Sequence, residues 1–204
     1  MRMATSSPNS QTAGGAPDRV EQAAVAPARV EPGRVEPGGT EQTSSVPPSL
    51  ETLARQSIES IIPHRGSMLL LDAVETFADT TLSASASVDP HAWYADADGA
   101  MPAWIGIELM AQAIAAHVAL LAMRGGGHAR PGVLLGSRSY EASQPAFRAG
   151  AQLRIQVTEL LRSEAGHGAY ECTIDDGDSR CAEAVIKVFQ PPDFQSFIEG
   201  SFNS

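Results

Sequence analysis

Glu108 stands in a run, residues 102–123, whose only other strongly polar side chains, the indole of Trp104 aside, are Gln112 and His117. A carboxylate placed among apolar neighbours is costly to bury unless it is paired, neutralised or used. Three bland roles suit it: a charge favoured by the positive end of a helix dipole, an exposed side chain at a helix start, or a structural hydrogen-bonding acid. The chemical role is general acid or base. Trp104, Glu108 and Gln112 recur every four residues, so on a helix they form one row. His117 lies nine residues beyond Glu108, about 180° around the axis at 3.6 residues per turn, and is read as a packed or hydrogen-bonding histidine. An acid-base pair needs a second group. His128 and His167 flank glycines and read as turn residues; His64, in Pro63-His64-Arg65, and His91, at the head of a loop, remain. Spacing alone leaves the choice between them open.

The elements that would carry these groups follow from periodicity. Residues 50–62 place Leu50, Leu53, Ile58, Ile61 and Ile62 on one helical face and stop at Pro63. Residues 68–77 read as a buried strand, and 81–88 alternate through Leu82, Ala84, Ala86 and Val88, which makes a hairpin. Pro102 opens the long helix and Gly125-Gly126-Gly127 closes it. Four strands follow, at 133–142, 151–161, 169–174 and 181–189. Short polar turns between successive strands argue an antiparallel sheet, and the one apolar helix must be wrapped by it, an α+β architecture. In the last hairpin a three-residue turn sets Tyr170, Cys172 and Ile174 against Ala182 and Ala184, in line with Ile186 and Val188. A two-residue Asp176-Gly177 turn would pair the cysteines but face the apolar set with Glu183 and Lys187. Burial therefore selects the first register and two unpaired thiols.

Composition limits the functions available. The chain of 204 residues carries 14 Lys and Arg against 24 Asp and Glu, net -10. Residues 1–50 hold 4 basic and 5 acidic groups, so net -9 belongs to the remainder. An acidic domain with scattered arginines and a single lysine lacks the footprint of a nucleic-acid binder. Two cysteines are too few for a disulfide framework or a thiolate metal site, which fits a reduced, cytoplasmic setting. The long helix could span a bilayer by length, but its many alanines and an ionisable Glu argue against a membrane span. Residues 1–50 read as a disordered Pro/Gly/Ser-rich tail with a degenerate Arg-Val-Glu repeat and no apolar run of a secretory signal. The domain is expected over 51–192, with a C-terminal extension over 193–204. There is no Gly-x-Ser-x-Gly elbow, phosphate loop or dinucleotide fingerprint.

Ile62-Pro63-His64-Arg65 and the Met68-Leu69-Leu70-Leu71-Asp72 that follows resemble the Pro-His-Arg segment and next strand of hotdog-fold 3-hydroxyacyl-[acyl-carrier-protein] dehydratases. Met101-Pro102 followed by Glu108-Leu109-Met110-Ala111-Gln112-Ala113 is similar to that family's helix, and the resemblance covers about 55 to 190. The combination is nearest to the ApeP-like branch associated with aryl-polyene biosynthesis. One departure stands out: where housekeeping dehydratases carry a His-Phe-Pro-Gly loop with the catalytic base, this chain reads Trp93-Tyr94-Ala95-Asp96.

The resemblance implies a hotdog fold and dehydration of a 3-hydroxyacyl thioester, with Glu108 as acid and Gln112 orienting it. His64 becomes the preferred base because it occupies the Pro-His position, with His91 second. The amides near Ala103 and Trp104 would polarise the thioester carbonyl, and Tyr94 would line the substrate site. No metal or redox cofactor is implied. The expected partners are an acyl carrier protein, docking on Arg65, Arg138, Arg148 and Arg154, and a second hotdog subunit in a homodimer or heterodimer. The missing histidine also admits a catalytically incomplete partner subunit, and a hotdog thioesterase is the other alternative.

Overall fold

The computed structural model describes residues 50–201. The expected tail, apart from Leu50, lies outside the described residues, as do residues 202–204. Two short helices, α1 (Leu50–Ala54) and α2 (Ile58–Ile61), replace the single helix expected over 50–62. They break at residues 55–57, and Leu53, Ile58, Ile61 and Ile62 still reach the core.

Strands β1 (Ala73–Phe77) and β2 (Thr81–Ser87) form the expected hairpin. The short β3 (Met101–Pro102) leads through a 3-10 turn, Ala103–Ile105, into α3 (Gly106–Arg124). Then come β4 (Val133–Ala142), the two-residue β5 (Ala146–Phe147), β6 (Gln152–Arg162), β7 (His167–Asp176), β8 (Ser179–Phe189) and α4 (Phe194–Ser201). The main sheet is antiparallel throughout, in the order β1-β2-β6-β7-β8-β4, and β3 pairs with β5 separately.

One face of the sheet covers α3. Ala84, Ile155, Ile174 and Ala182 lie side by side across four strands, as do Leu82, Val157, Cys172 and Ala184. Alanines at three of the four outer positions of these rows leave room for the helix, and all eight residues are buried. Residues 103–124 are long and apolar enough to cross a membrane, but α3 packs on β2, β6, β7 and β8 as a core helix.

The last hairpin adopts the predicted register: Tyr170 faces Ile186, Cys172 faces Ala184 and Ile174 faces Ala182. The turn itself differs. A two-residue Gly177-Asp178 turn joins Asp176 to Ser179, Gly177 taking φ 62°, and an extra residue at Cys181 restores the register. Both cysteines are free. Burial pushes the Cys172 thiol up to about 12, so it is an inert core side chain.

The strand expected at 68–77 begins only at Ala73. Gly66–Met68 is a 3-10 turn, and residues 69–71 lie outside the sheet, Asp72 N–H donating to Ser85 O of β2 at 2.8 Å just before β1 begins. The reason is a side chain: Leu70 N–H donates to Gln112 Oε1 at 3.0 Å, and Gln112 Nε2 donates to the Met68 carbonyl at 2.7 Å. Fully buried Gln112 thus takes the place of a neighbouring strand.

The start of α3 is fixed from three directions. β3 pairs with β5, Ala103 N–H donates to Pro145 O at 2.8 Å, and the Tyr140 hydroxyl donates to Ala103 O. Tyr140 reaches inward because β4 carries a bulge between Arg138 and Glu141, with Ser139 at φ 57°. Burial pushes the Tyr140 hydroxyl up to about 12, so it stays a donor. Gly106 makes room for it: a Cβ there would sit 2.5 Å from the Tyr140 hydroxyl and 3.0 Å from Ile174 Cδ1.

Candidate active site

Glu108 lies in the first turn of α3, one turn before Gln112. Gln112 Nε2 donates to Glu108 Oε1 at 2.9 Å while its carbonyl oxygen holds Leu70, so the amide has one orientation and fixes that carboxylate oxygen. Trp104, the third member of the row, projects outward and is 64% exposed.

His64 reaches the same carboxylate from the other side of the domain. Ile58, Ile61 and Ile62 anchor α2 in the core, Pro63 ends the helical segment, and Arg65 donates to the carbonyls of Ile62 and His64, both at 2.6 Å. This placement brings His64 Nε2 to 3.5 Å from Glu108 Oε1, with the two side chains 28% and 37% exposed. The separation is longer than a hydrogen bond, and acid-base contacts of this kind commonly tighten only when substrate is bound. His64 Nδ1 is buried and meets no partner among the described residues. The ring is therefore held by packing and the backbone around it, without a third polar group behind it.

The pair stands at one end of a cavity of about 350 Å³ that runs along α3 past Ala111, Ala115 and Ala119 to Val188 and Phe189. Beyond the pair, Arg130 and Gln190 are the polar side chains on an otherwise apolar wall. The arrangement offers an exchangeable proton on two adjacent groups beside a slot that accommodates an alkyl or aryl chain.

Other expected residues fall elsewhere. His91 is exposed after β2, its backbone N–H donating to Asp89 Oδ1 at 2.8 Å, and it does not line the cavity. Tyr94 is buried and accepts the Asp89 N–H at 3.0 Å; burial raises its pKa, and it also stands apart from the cavity. The expectation of a free amide at Ala103 is corrected, because that N–H is taken by Pro145. The segment replacing the usual histidine loop braces its neighbour, with the Trp93 indole N–H donating to Ser67 O at 2.7 Å beside the His64 segment.

Two of the four expected docking arginines are already paired, Arg148 with Asp176 at 2.6 Å and Arg154 with Glu75 at 3.3 Å. Arg65 and Arg138 have no carboxylate partner among the described residues. Sequence reasoning missed Arg130 and Phe194, both on the cavity wall. The alanine row on α3 was a usable signal for the cavity, since small residues at intervals of four leave a groove along one helix face.

A profile of the ApeP-like family, described as ApeP dehydratase, matches residues 56–199. No curated protein sequence matches the chain. Among solved structures, the dehydratase heterocomplex ApeI:P from Xenorhabdus doucetiae is similar at 27% identity and TM-score 0.67, over 71% of this chain and 96% of that one. The PaaI protein of the phenylacetic acid degradation operon of E. coli, at 13% identity and TM-score 0.53 over 70% and 96% of the two chains, shares the fold. The profile runs from the residues just before α2 through the helix bearing Glu108 to α4, most of the chain, and on that ground this hotdog-fold chain belongs to the ApeP-like dehydratase family.

Proposed function

We propose that this chain removes water from a 3-hydroxyacyl thioester carried on an acyl carrier protein, giving the 2-enoyl thioester for a fatty-acid-like or polyene product. The observation that carries the reading is the approach of His64 Nε2 to Glu108 Oε1 at the head of an apolar cavity. Elimination requires a base for the proton α to the carbonyl and an acid for the departing hydroxyl. His64 takes the α proton at Nε2, the carbon–oxygen bond breaks, and Glu108 protonates the leaving oxygen as water. His64 then holds the substrate's α proton while Glu108 has given its own to the departing water, and transfer from His64 to Glu108 across their short gap restores both groups. Gln112 keeps Glu108 aimed throughout. Trp104, at the head of α3, remains the candidate whose backbone amide polarises the thioester carbonyl.

A second hotdog subunit completes the working enzyme in this reading. Support comes from the exposed Met68, Trp93 and Trp104 near the site, from the edge position of β4 with exposed Leu134 and Leu135, and from the ApeI:P heterocomplex. A domain of net charge -9 repels an acidic carrier at long range, so docking rests on Arg65 and Arg138, the two of the four expected arginines without a carboxylate partner among the described residues. The free thiols suit a cytoplasmic setting.

Incubating a 3-hydroxyacyl carrier protein with the purified chain, alone and with an ApeI-type subunit, tests the reading by mass. Loss of one water per acyl chain, abolished by Glu108→Gln in this chain, is the expected result. Free acid as product would establish a thioesterase instead. Full activity of the assembled Glu108→Gln variant would assign the chemistry to the partner.

A further inference from the structure

The cavity wall includes the first residue of α4. From Glu108 to Ala119 the cavity follows 11 residues of α3, about 16 Å at 1.5 Å per residue. At its far end Phe194, the first residue of α4, lines it together with Phe189. Helix α4 is held there by two devices. Asp193 caps its first turn, accepting from Ser196 N–H at 3.1 Å and Ser196 Oγ at 2.8 Å, bonds that keep its carboxyl below the usual range. Phe197 packs edge-on against Phe189, centroids 5.5 Å apart, and Phe189 stacks on His167 at 4.5 Å. The loop before β4 is tied to the same end, with Gln190 Nε2 donating to Arg130 O at 2.8 Å.

Resting on the dehydratase reading above, we propose that α4 is the end wall of the acyl pocket and that Phe194 sets the longest acyl chain accepted. The occupant follows from the wall. Ala111, Ala115, Ala119 and Val188 offer no side-chain donor or acceptor, so the amides of a pantetheine arm would be buried there unsatisfied, whereas a hydrocarbon or polyene tail loses nothing. With the thioester end at His64 and Glu108, the tail runs toward Phe194.

Each methylene that finds room tightens binding about fourfold, so affinity should climb with chain length and stop climbing where the tail meets Phe194. The test uses the full chain, with its partner subunit if turnover requires one. Unreactive acyl-pantetheine analogues of increasing length measure binding, and the matching 3-hydroxyacyl thioesters measure turnover. Phe194→Ala should move the break to longer chains; Ala115→Leu, which fills the slot midway, should move it to shorter chains. An equal change at every length in both variants, or no dependence of wild-type binding on length, overturns the proposal. Length-dependent binding that shifts as expected without any dehydration would keep the pocket assignment and remove the dehydratase reading.

Discussion

His64 and His117 are the same residue in opposite circumstances. His117 is fully buried on α3, its Nε2 3.2 Å from the Ala78 carbonyl and its Nδ1 3.3 Å from the Tyr170 hydroxyl. Both ring nitrogens are satisfied, and burial lowers its pKa, with Arg162 also acting in that direction. His64 is partly open, faces a carboxylate at 3.5 Å and has a second nitrogen with no partner among the described residues. A histidine whose bonds are complete has no free site for a substrate proton, so chemistry belongs where hydrogen bonding is unfinished and solvent can be displaced.

Exchanging the two fates is the strongest way to break this contrast. In the assembled enzyme, His64→Ala should lower kcat by about 10²- to 10⁴-fold while leaving the denaturant midpoint nearly unchanged. His117→Ala should do the reverse, costing about 3 kcal/mol in urea unfolding with kcat of the folded protein retained. A large stability loss in the first variant, or inactive but folded protein in the second, would dissolve the distinction. Gly106→Ala tests the frame that holds Glu108. Crowding the Tyr140 hydroxyl should cost about 1 to 2 kcal/mol in thermal or denaturant unfolding, with a kcat loss smaller than that of Glu108→Gln. The smallest effect sharpens the comparison through pH. Because burial lowers the pKa of His117 in the folded state, the unfolded chain binds more protons as the pH falls through about 6.5. Stability is therefore complete above that pH and falls as acid is added, by at most about 1.4 kcal/mol per unit. His117→Ala should remove that part of the slope, as titration of the unfolding midpoint would show.

Much of this was legible in the sequence. Alternation in β7 and β8 was strong enough to fix which faces of the last hairpin meet, because a one-residue slip would have set the Tyr170, Cys172 and Ile174 face against Glu183 and Lys187. The row of Glu108 and Gln112 was legible from helical spacing. The approach of His64 was not, since the Pro63 boundary says where a helix stops but not where the next side chain points; only resemblance favoured it over His91. Residues 68–72 were misread as strand because an apolar run shows burial without showing who supplies the hydrogen bonds. Ala103 was misjudged for a related reason: its amide is satisfied by Pro145, far along the chain. The place of Phe194 on the cavity wall escaped notice because a short segment after a Pro-Pro pair carries too brief a pattern to distinguish a wall from an appendage.

Gln112 gives the molecule a form of quality control. A side-chain amide has an acceptor on one arm and donors on the other, so neither an ionised Glu nor a Leu can hold Leu70 and Glu108 at once. The segment after His64 and the carboxylate of α3 therefore assemble together or not at all, and a chain with that segment undocked has no aligned acid. Exchange of the single Leu70 amide proton with solvent reads that assembly directly, in the absence of substrate, carrier or product.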